Sequence, residues 1–177
     1  MKNEWVNPQT IIRLKHEKFG LLEVVREQSR AEPSTHRLKI VNPKNGDNPY
    51  AHVTYWPHPA ADGLIYAYKA STQDECRQHG MAGSLLTLLS ALEQKKIFLI
   101  PVKLAKSKKV YEKIGFKKDA IPWGNEKIRC LSLDNTSQLT PQEWAKQAAS
   151  QWNTEHPDKA PRRAFRKFAI ETERPKK

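Results

Sequence analysis

One stretch of this chain constrains its fold more than any other. Leu64-Ile65-Tyr66-Ala67-Tyr68-Lys69 reads as a strand. A loop follows that is rich in small residues: Gly80, Ala82, Gly83 and Ser84. Leu85, Leu88, Leu89 and Leu92 then recur at i, i+3, i+4 and i+7, the spacing of one helical face. Ile97-Phe98-Leu99-Ile100-Pro101-Val102 is almost wholly apolar, as a strand covered on both faces requires. A strand, a helix and a strand of these lengths close as a parallel pair with the helix as the crossover. The expectation is an α/β fold built on a mixed sheet.

The flanking segments extend that sheet. Ile11 to Arg30, with Leu21, Leu22, Val24 and Val25, reads as helical and is broken at Gly20. Arg37–Val41 and Tyr50–Trp56 read as strands joined through a turn-rich stretch containing Asn45-Gly46. After Val102 the spacing of Ser107, Val110, Tyr111 and Ile114 is helical, with Gly115 as its stop. Arg129–Leu133 reads as a closing strand. The sequence-level order is therefore helix, three strands, helix, strand, helix, strand over residues 1–135. In residues 136–177, Thr140-Pro141-Gln142-Glu143 has the form of a capping box opening a helix with Trp144, Ala148 and Trp152 at i+4 steps.

Composition narrows the class. The 177 residues carry 31 Lys and Arg against 19 Asp and Glu, a formal charge of +12. That balance suits a polyanionic partner or simply a soluble basic surface. Nothing approaches the roughly 18 consecutive apolar residues of a membrane span, and the first residues lack a secretory pattern, so a cytoplasmic protein without membrane contact is expected. Two cysteines, Cys76 and Cys130, cannot build a disulfide framework. The scattered histidines show no metal-ligand spacing, so no metal is expected.

Arg77-Gln78-His79-Gly80-Met81-Ala82 lies between a strand and the apolar helix. Backbone N–H groups at a helix N-terminus lack intrahelical partners, and the helix dipole adds positive charge there. Gly80 and Ala82 permit close approach of an anion. An ordinary tight turn would use the same residues, so the loop alone leaves both readings open. The pattern resembles the Arg/Gln-x-x-Gly-x-Gly/Ala loop of the GNAT superfamily of acyl-CoA-dependent N-acetyltransferases. Val110-Tyr111-Glu112-Lys113-Ile114-Gly115-Phe116 is similar to a second signature of that superfamily, and Ile97–Val102 sits where its fifth strand falls. The resemblance spans about Thr35 to Leu133.

The resemblance implies a centrally splayed sheet flanked by helices, with acetyl-CoA as cofactor. It implies that backbone groups of Gln78, His79, Gly80, Met81, Ala82, Gly83 and Ser84, beside Arg77, hold the pyrophosphate. By the same token Ser71 and Thr72 would pair with the pantetheine arm where the strand splays from its neighbour. Tyr111 would protonate the departing thiolate; packed beside Val110 and Ile114, it is equally suited to the core. Lys108 and Lys109 are candidates for the cofactor's 3′-phosphate or adenine, or for a solvated helix face. The chain departs from the superfamily at Leu104, where asparagine is frequent, and at Tyr66, where some members place a catalytic glutamate. Leu64–Lys69 carries no carboxylate. An acceptor lysine near pKa 10.4 needs a base, whereas an α-amine near 7.7–8.0 needs little help. That tilts the expected acceptor towards a protein N-terminus or aminoacyl-tRNA. A binding protein with a degenerate acyltransferase fold is the competing reading.

From Lys159 on, eight basic residues face two acidic ones, half of the net charge. Arg162, Arg163, Arg166 and Lys167 interleave with Phe165 and Phe168, the pattern of a short amphipathic helix. Docking of its apolar side on the domain and contact with RNA or the ribosome are both compatible with it. A homodimer is compatible with the sequence as well.

Overall fold

The structure is a computed structural model. It describes residues 4–16, 18–58, 63–74, 81–100, 111–112, 114–136, 139–146 and 168–170; for Lys69 and residues 168–170 it describes the backbone alone. Ten elements follow in order: β1 (Trp5–His16), β2 (Gly20–Ser29), β3 (His36–Val41), β4 (Ala51–Pro57), β5 (Leu64–Thr72), α1 (Met81–Glu93), β6 (Lys96–Leu99), β7 (Lys117–Trp123), β8 (Glu126–Leu133) and β9 (Phe168–Ile170). The strands form a single sheet in the order β7-β8-β6-β5-β4-β3-β2-β1-β9. Among the described strands only β5 and β6 are parallel, and α1 is their crossover. The mixed α/β sheet expected from the sequence is present.

The first expected helix is not. Ile11 to Arg30 folds as the β1–β2 hairpin, with Leu14 opposite Leu22 and Ile12 opposite Val24. Gly20 separates two strands, not two helices, and takes φ +73° at the turn. The pairs Leu21-Leu22 and Val24-Val25 imitate a helical face. In the sheet, Leu22 and Val24 enter the core while Leu21 stays 47% exposed. Period two won because Ile12, Leu14, Leu22 and Val24 can all cover one face. The expected closing strand is longer, Glu126–Leu133, and is preceded by β7, whose mixed composition hid it. Gly124 takes φ +62° in the turn between them. The expected strand from Ile97 begins at Lys96 and ends at Leu99; the third expected helix, with Ser107, Val110, Tyr111 and Ile114, lies mostly outside the described residues.

The sheet has two unlike faces. On one, α1 buries Leu85, Leu88 and Leu89 against Leu38, Ile40, Val53, Ile65 and Ile97. Complete burial of such side chains contributes about 1.5–3 kcal/mol each. The C-terminal end of α1 is tied down by a polar knot. The Tyr55 hydroxyl donates to Glu93 Oε1 at 2.8 Å, and Arg26 reaches both, at 3.0 Å each. A carboxylate at a helix C-terminus is unfavourable on its own, and Arg26 offsets it. Burial first, then the Glu93 charge, raises the Tyr55 pKa, so the phenol stays a donor.

At the other end of α1, Gly83 faces Ile114. A Cβ on Gly83 would lie 3.3 Å from Ile114 Cγ2 and 3.6 Å from Cδ1. The opening turn of the helix therefore packs directly on the second signature. The capping box at Thr140 also forms: the Glu143 N–H donates to Thr140 Oγ1 at 3.2 Å, and the Thr140 N–H donates to Glu143 Oε2 at 2.8 Å. It starts a helical segment at 141–146 whose Ala145 is fully buried; Ala148 and Trp152 lie outside the described residues.

The C-terminal segment returns to the sheet. Phe168–Ile170 pairs antiparallel with β1, His16 opposite Phe168 and Leu14 opposite Ile170. The amphipathic helix expected around Phe168 is a strand at that point, because the edge of β1 offers unpaired backbone groups. The remainder of that expected helix, Phe165 included, lies outside the described residues.

Two outcomes test this packing. Gly83→Val should lower stability by about 1–3 kcal/mol, the usual cost of overpacking, and combined with Ile114→Ala, which removes both Cγ2 and Cδ1, it should cost less than the sum of the two single losses; urea unfolding of the single and double variants reads both. The second concerns acid. Asp119 accepts from Lys96 at 2.7 Å and from Ser132 at 2.8 Å, and these bonds with the Ala120 N–H hold its carboxyl at about 2. A depressed carboxylate stabilises the fold above its ordinary value near 3.9 and ceases to do so as pH falls towards 2. Asp119→Asn should therefore flatten the stability change across that window, measured by denaturant unfolding at stepped acid pH.

Candidate active site

β5 holds two neighbours for only part of its length. It pairs with β6 from Leu64 to Tyr66, opposite Lys96 to Phe98, and with β4 from Ile65 through Thr72. Beyond Tyr66 the β6 edge of β5 has no strand partner among the described residues. The splay that the sequence resemblance implied would open here; residues 101–110, which follow β6, lie outside the described residues.

A β-bulge sits at the parting. Tyr55 is opposite Ala67 but Thr54 is opposite Lys69, so Tyr68 is the extra residue. The bulge resets the phase of the strand, bringing Thr72 opposite the buried Ala51 and Ser71 opposite His52. The Gln73 N–H is bonded to the Tyr50 carbonyl on the β4 side at 2.8 Å. Backbone groups alternate along a strand, so those of Ser71 turn to β4 while those of Ala70 and Thr72 turn to the gap. Of the two strand-end residues expected to meet pantetheine, Thr72 has its backbone on the open side.

α1 begins at the same end. A right-handed crossover places the helix start at the carboxyl end of the first parallel strand, where α/β sheets bind ligands. Its first turn contains no acidic side chain. Met81 and Ser84 are buried. Gly83 has its missing side chain turned to Ile114. Arg77, Gln78, His79, Gly80, Lys108 and Lys109 lie outside the described residues.

Tyr111 is part-buried against the main core, 5.8 Å from the Phe116 ring between centroids. Its carbonyl accepts from the N–H groups of Ile114 and Phe116 at 3.2 and 3.1 Å. Burial raises its phenol pKa, so the ring carries its proton at neutral pH. Ile114, three residues on, is the residue that touches Gly83. The structure thus brings the second signature to the opening turn of α1.

Opposite α1, the sheet is aromatic. Tyr66 stacks on Phe98 with centroids 5.0 Å apart and meets Trp56 edge-on at 5.0 Å. Trp56 also contacts Tyr68, and Trp123 contacts both Tyr66 and His58. Sequence reasoning singled out Tyr66 alone. The cluster is assembled by register across β4, β5, β6 and β7, and β7 was not foreseen. No group of acidic, His and Cys side chains among the described residues could hold a metal ion. No described helix is long and apolar enough to cross a membrane.

No family model matches the sequence, and no curated protein matches it. Solved structures do. A GNAT-family acetyltransferase from Staphylococcus aureus Mu50 aligns over 56% of this chain and 66% of its own, at 15% identity and a TM-score of 0.44. A GNAT family acetyltransferase from Elizabethkingia anophelis, solved with acetyl-CoA bound, aligns over 57% and 76%, at 13% identity and 0.42. The ribosomal-protein-S18-alanine N-acetyltransferase from Escherichia coli aligns over 60% and 72%, at 12% identity and 0.42. An acetyltransferase from Thermus thermophilus is covered over only 64% of its length. Likeness at these levels carries no assignment. The chain's own strand order, single described parallel pair and crossover helix are those of a mixed α/β sheet.

Proposed function

We propose that this protein is an N-acetyltransferase that moves an acetyl group from acetyl-CoA to a primary amine. The parting of β5 from β6 beside the start of α1 carries this reading. It presents strand backbone on one side and the start of α1 at its end. That suits a ligand with an amide-bearing arm and a pyrophosphate. Bound there, acetyl-CoA would supply an activated thioester carbonyl.

The chain's own groups divide the remaining work. Outward-facing backbone of Ala70 and Thr72 would align the arm, and the opening turn of α1 with the preceding loop would hold the phosphates. A preorganised strand N–H can stabilise negative charge on the carbonyl oxygen without any special side chain. Tyr111 would return a proton to the leaving sulfur. Burial makes it a weaker acid but ensures that the proton is present.

No described residue of β5 is a carboxylate. Tyr66 is no substitute base, since burial and the neighbouring Tyr68 raise its pKa further. An acceptor that is already neutral, such as an α-amine, fits this strand better than a lysine side chain. The same observation supports the second reading, a binding protein that keeps the fold and has lost turnover.

Two variants test the assignment. Tyr111→Phe keeps the ring and removes the hydroxyl. It should lower kcat by about 10²–10⁴-fold with coenzyme A affinity nearly preserved, read by transfer of labelled acetyl to amines in cell extract and by calorimetry. Unaltered turnover would return Tyr111 to a packing role. Gly80→Val should weaken coenzyme A binding while thermal unfolding stays cooperative; unchanged affinity would remove the loop from the site. An intact protein that binds coenzyme A but labels nothing would favour the second reading.

A further inference from the structure

We propose that the aromatic face of the sheet is a stacking platform for unpaired bases of a single-stranded nucleic acid. Trp56, His58, Tyr66, Tyr68, Phe98 and Trp123 form one continuous group of rings on β4, β5, β6 and β7 and the residue after β4, with neighbouring centroids 4.9–6.4 Å apart.

The inner members make a rigid floor. Phe98 and His58 are buried, and Tyr66 is held between Phe98, Trp56 and Trp123. The outer members reach solvent. Tyr68 is 59% exposed and Trp123 38% exposed. Tyr68 is also the residue that the bulge adds to β5, and bulges recur where a side chain is re-aimed for use. An exposed ring packed edge-on to a fixed ring loses little conformational freedom when a flat ligand covers it.

Charge selects among flat ligands. An ammonium group could also sit over these rings, but the chain carries +12, which opposes a cation and favours a ligand with phosphates. The acid on the same face, Asp119, is neutralised by Lys96 at 2.7 Å. Further along it, Glu27 is buried between Arg37 and Lys39, with Arg37 Nη2 at 2.7 Å. An exposed carboxylate, Glu126, stands opposite Trp123 on the β7–β8 ladder, against the chain's net charge of +12. Exposed rings on a sheet combined with net positive charge are the physical requirements for sequence-tolerant binding of single strands. Duplex bases, already stacked, cannot use the rings.

This proposal does not rest on acetyl transfer, and its test contains no acetyl-CoA. Fluorescence anisotropy would follow labelled poly(U), poly(dU), poly(dT) and a duplex against the intact chain at low and moderate salt. Intact protein should bind the single strands more tightly than the duplex. Tyr68→Ala and Trp123→Ala should each weaken single-strand binding about tenfold, the loss of one base–ring stack, with the salt slope retained because phosphate contacts remain. Thermal unfolding checks that both variants fold, and the exposed Tyr68 keeps the test decisive if Trp123→Ala does not. Single-strand affinity unchanged in Tyr68→Ala would overturn the platform, as would equal losses for duplex or no binding by the intact chain at low salt. Binding of either poly(U) or poly(dT) supports it, and a difference between poly(U) and poly(dU) reports contact with the ribose hydroxyl.

Discussion

A helix that leaves the carboxyl end of one strand and must reach the amino end of a parallel neighbour has one direction to run. In this chain that constraint sets everything else. α1 lies back along the sheet, burying its leucines on β3, β4 and β5, and its first turn falls at the carboxyl ends of β5 and β6. Both ends are then pinned by unlike means. Arg26, Tyr55 and Glu93 hold the far end by charge and hydrogen bonds. Gly83 holds the near end by letting Ile114 come close. A larger residue at position 83 would tilt the helix start away from the gap it faces.

The two faces of the sheet divide the labour. The α1 face is aliphatic and closed, and the stability of the fold is concentrated there. The opposite face is aromatic, and it carries two local ion-paired groups: Lys96 with Asp119, and Glu27 with Arg37 and Lys39. The buried Glu27 group contributes less to stability than its geometry suggests, because desolvation offsets the attraction. The effect of both groups is to keep charge fixed in place. The Trp5 ring covers Arg37, with the guanidinium carbon 4.6 Å from its centroid, so even this cation is sheltered rather than presented to water.

How much could be read from the residues follows from the same geometry. The β5–α1–β6 unit was legible because its signals are local: leucines at helical spacing and an apolar run. The β1–β2 hairpin was not, because Leu21-Leu22 and Val24-Val25 satisfy either period, and only the pairing of Leu22 with Leu14 decides between them. β7 carries Lys117, Lys118 and Asp119 together and hides its alternation; Asp119 is fixed by Lys96, a contact between residues too far apart in the chain for any local window to reveal. The bulge at Tyr68 has no glycine to mark it. In the candidate site, the two signatures were legible as motifs, while their contact through Gly83 and Ile114 was not. The aromatic cluster depends on register across four strands, which leaves no local trace.

The absence of a carboxylate from β5 bears on which amines the proposed reaction can use. A protonated amine must lose its proton before attack, and a strand glutamate would normally accept it. The net charge of +12 pushes an approaching ammonium in the same direction, since like charges disfavour its charged form. That help is short-ranged, because charges beyond about 8 Å are screened at physiological salt. Lys96, at the paired end of β5 and β6, is itself held by Asp119, and the pair is close to neutral from a distance. Lysine side chains near pKa 10.4 would therefore remain about 99.9% charged at neutral pH, whereas α-amines near 7.7–8.0 keep roughly a tenth or more in the neutral form. The difference is about two decades in reactive amine, set by the acceptor before it reaches the protein. On the proposed reading, a strand that offers rings and backbone but no base would select among acceptors by their own acidity, and an α-amine would suit it best.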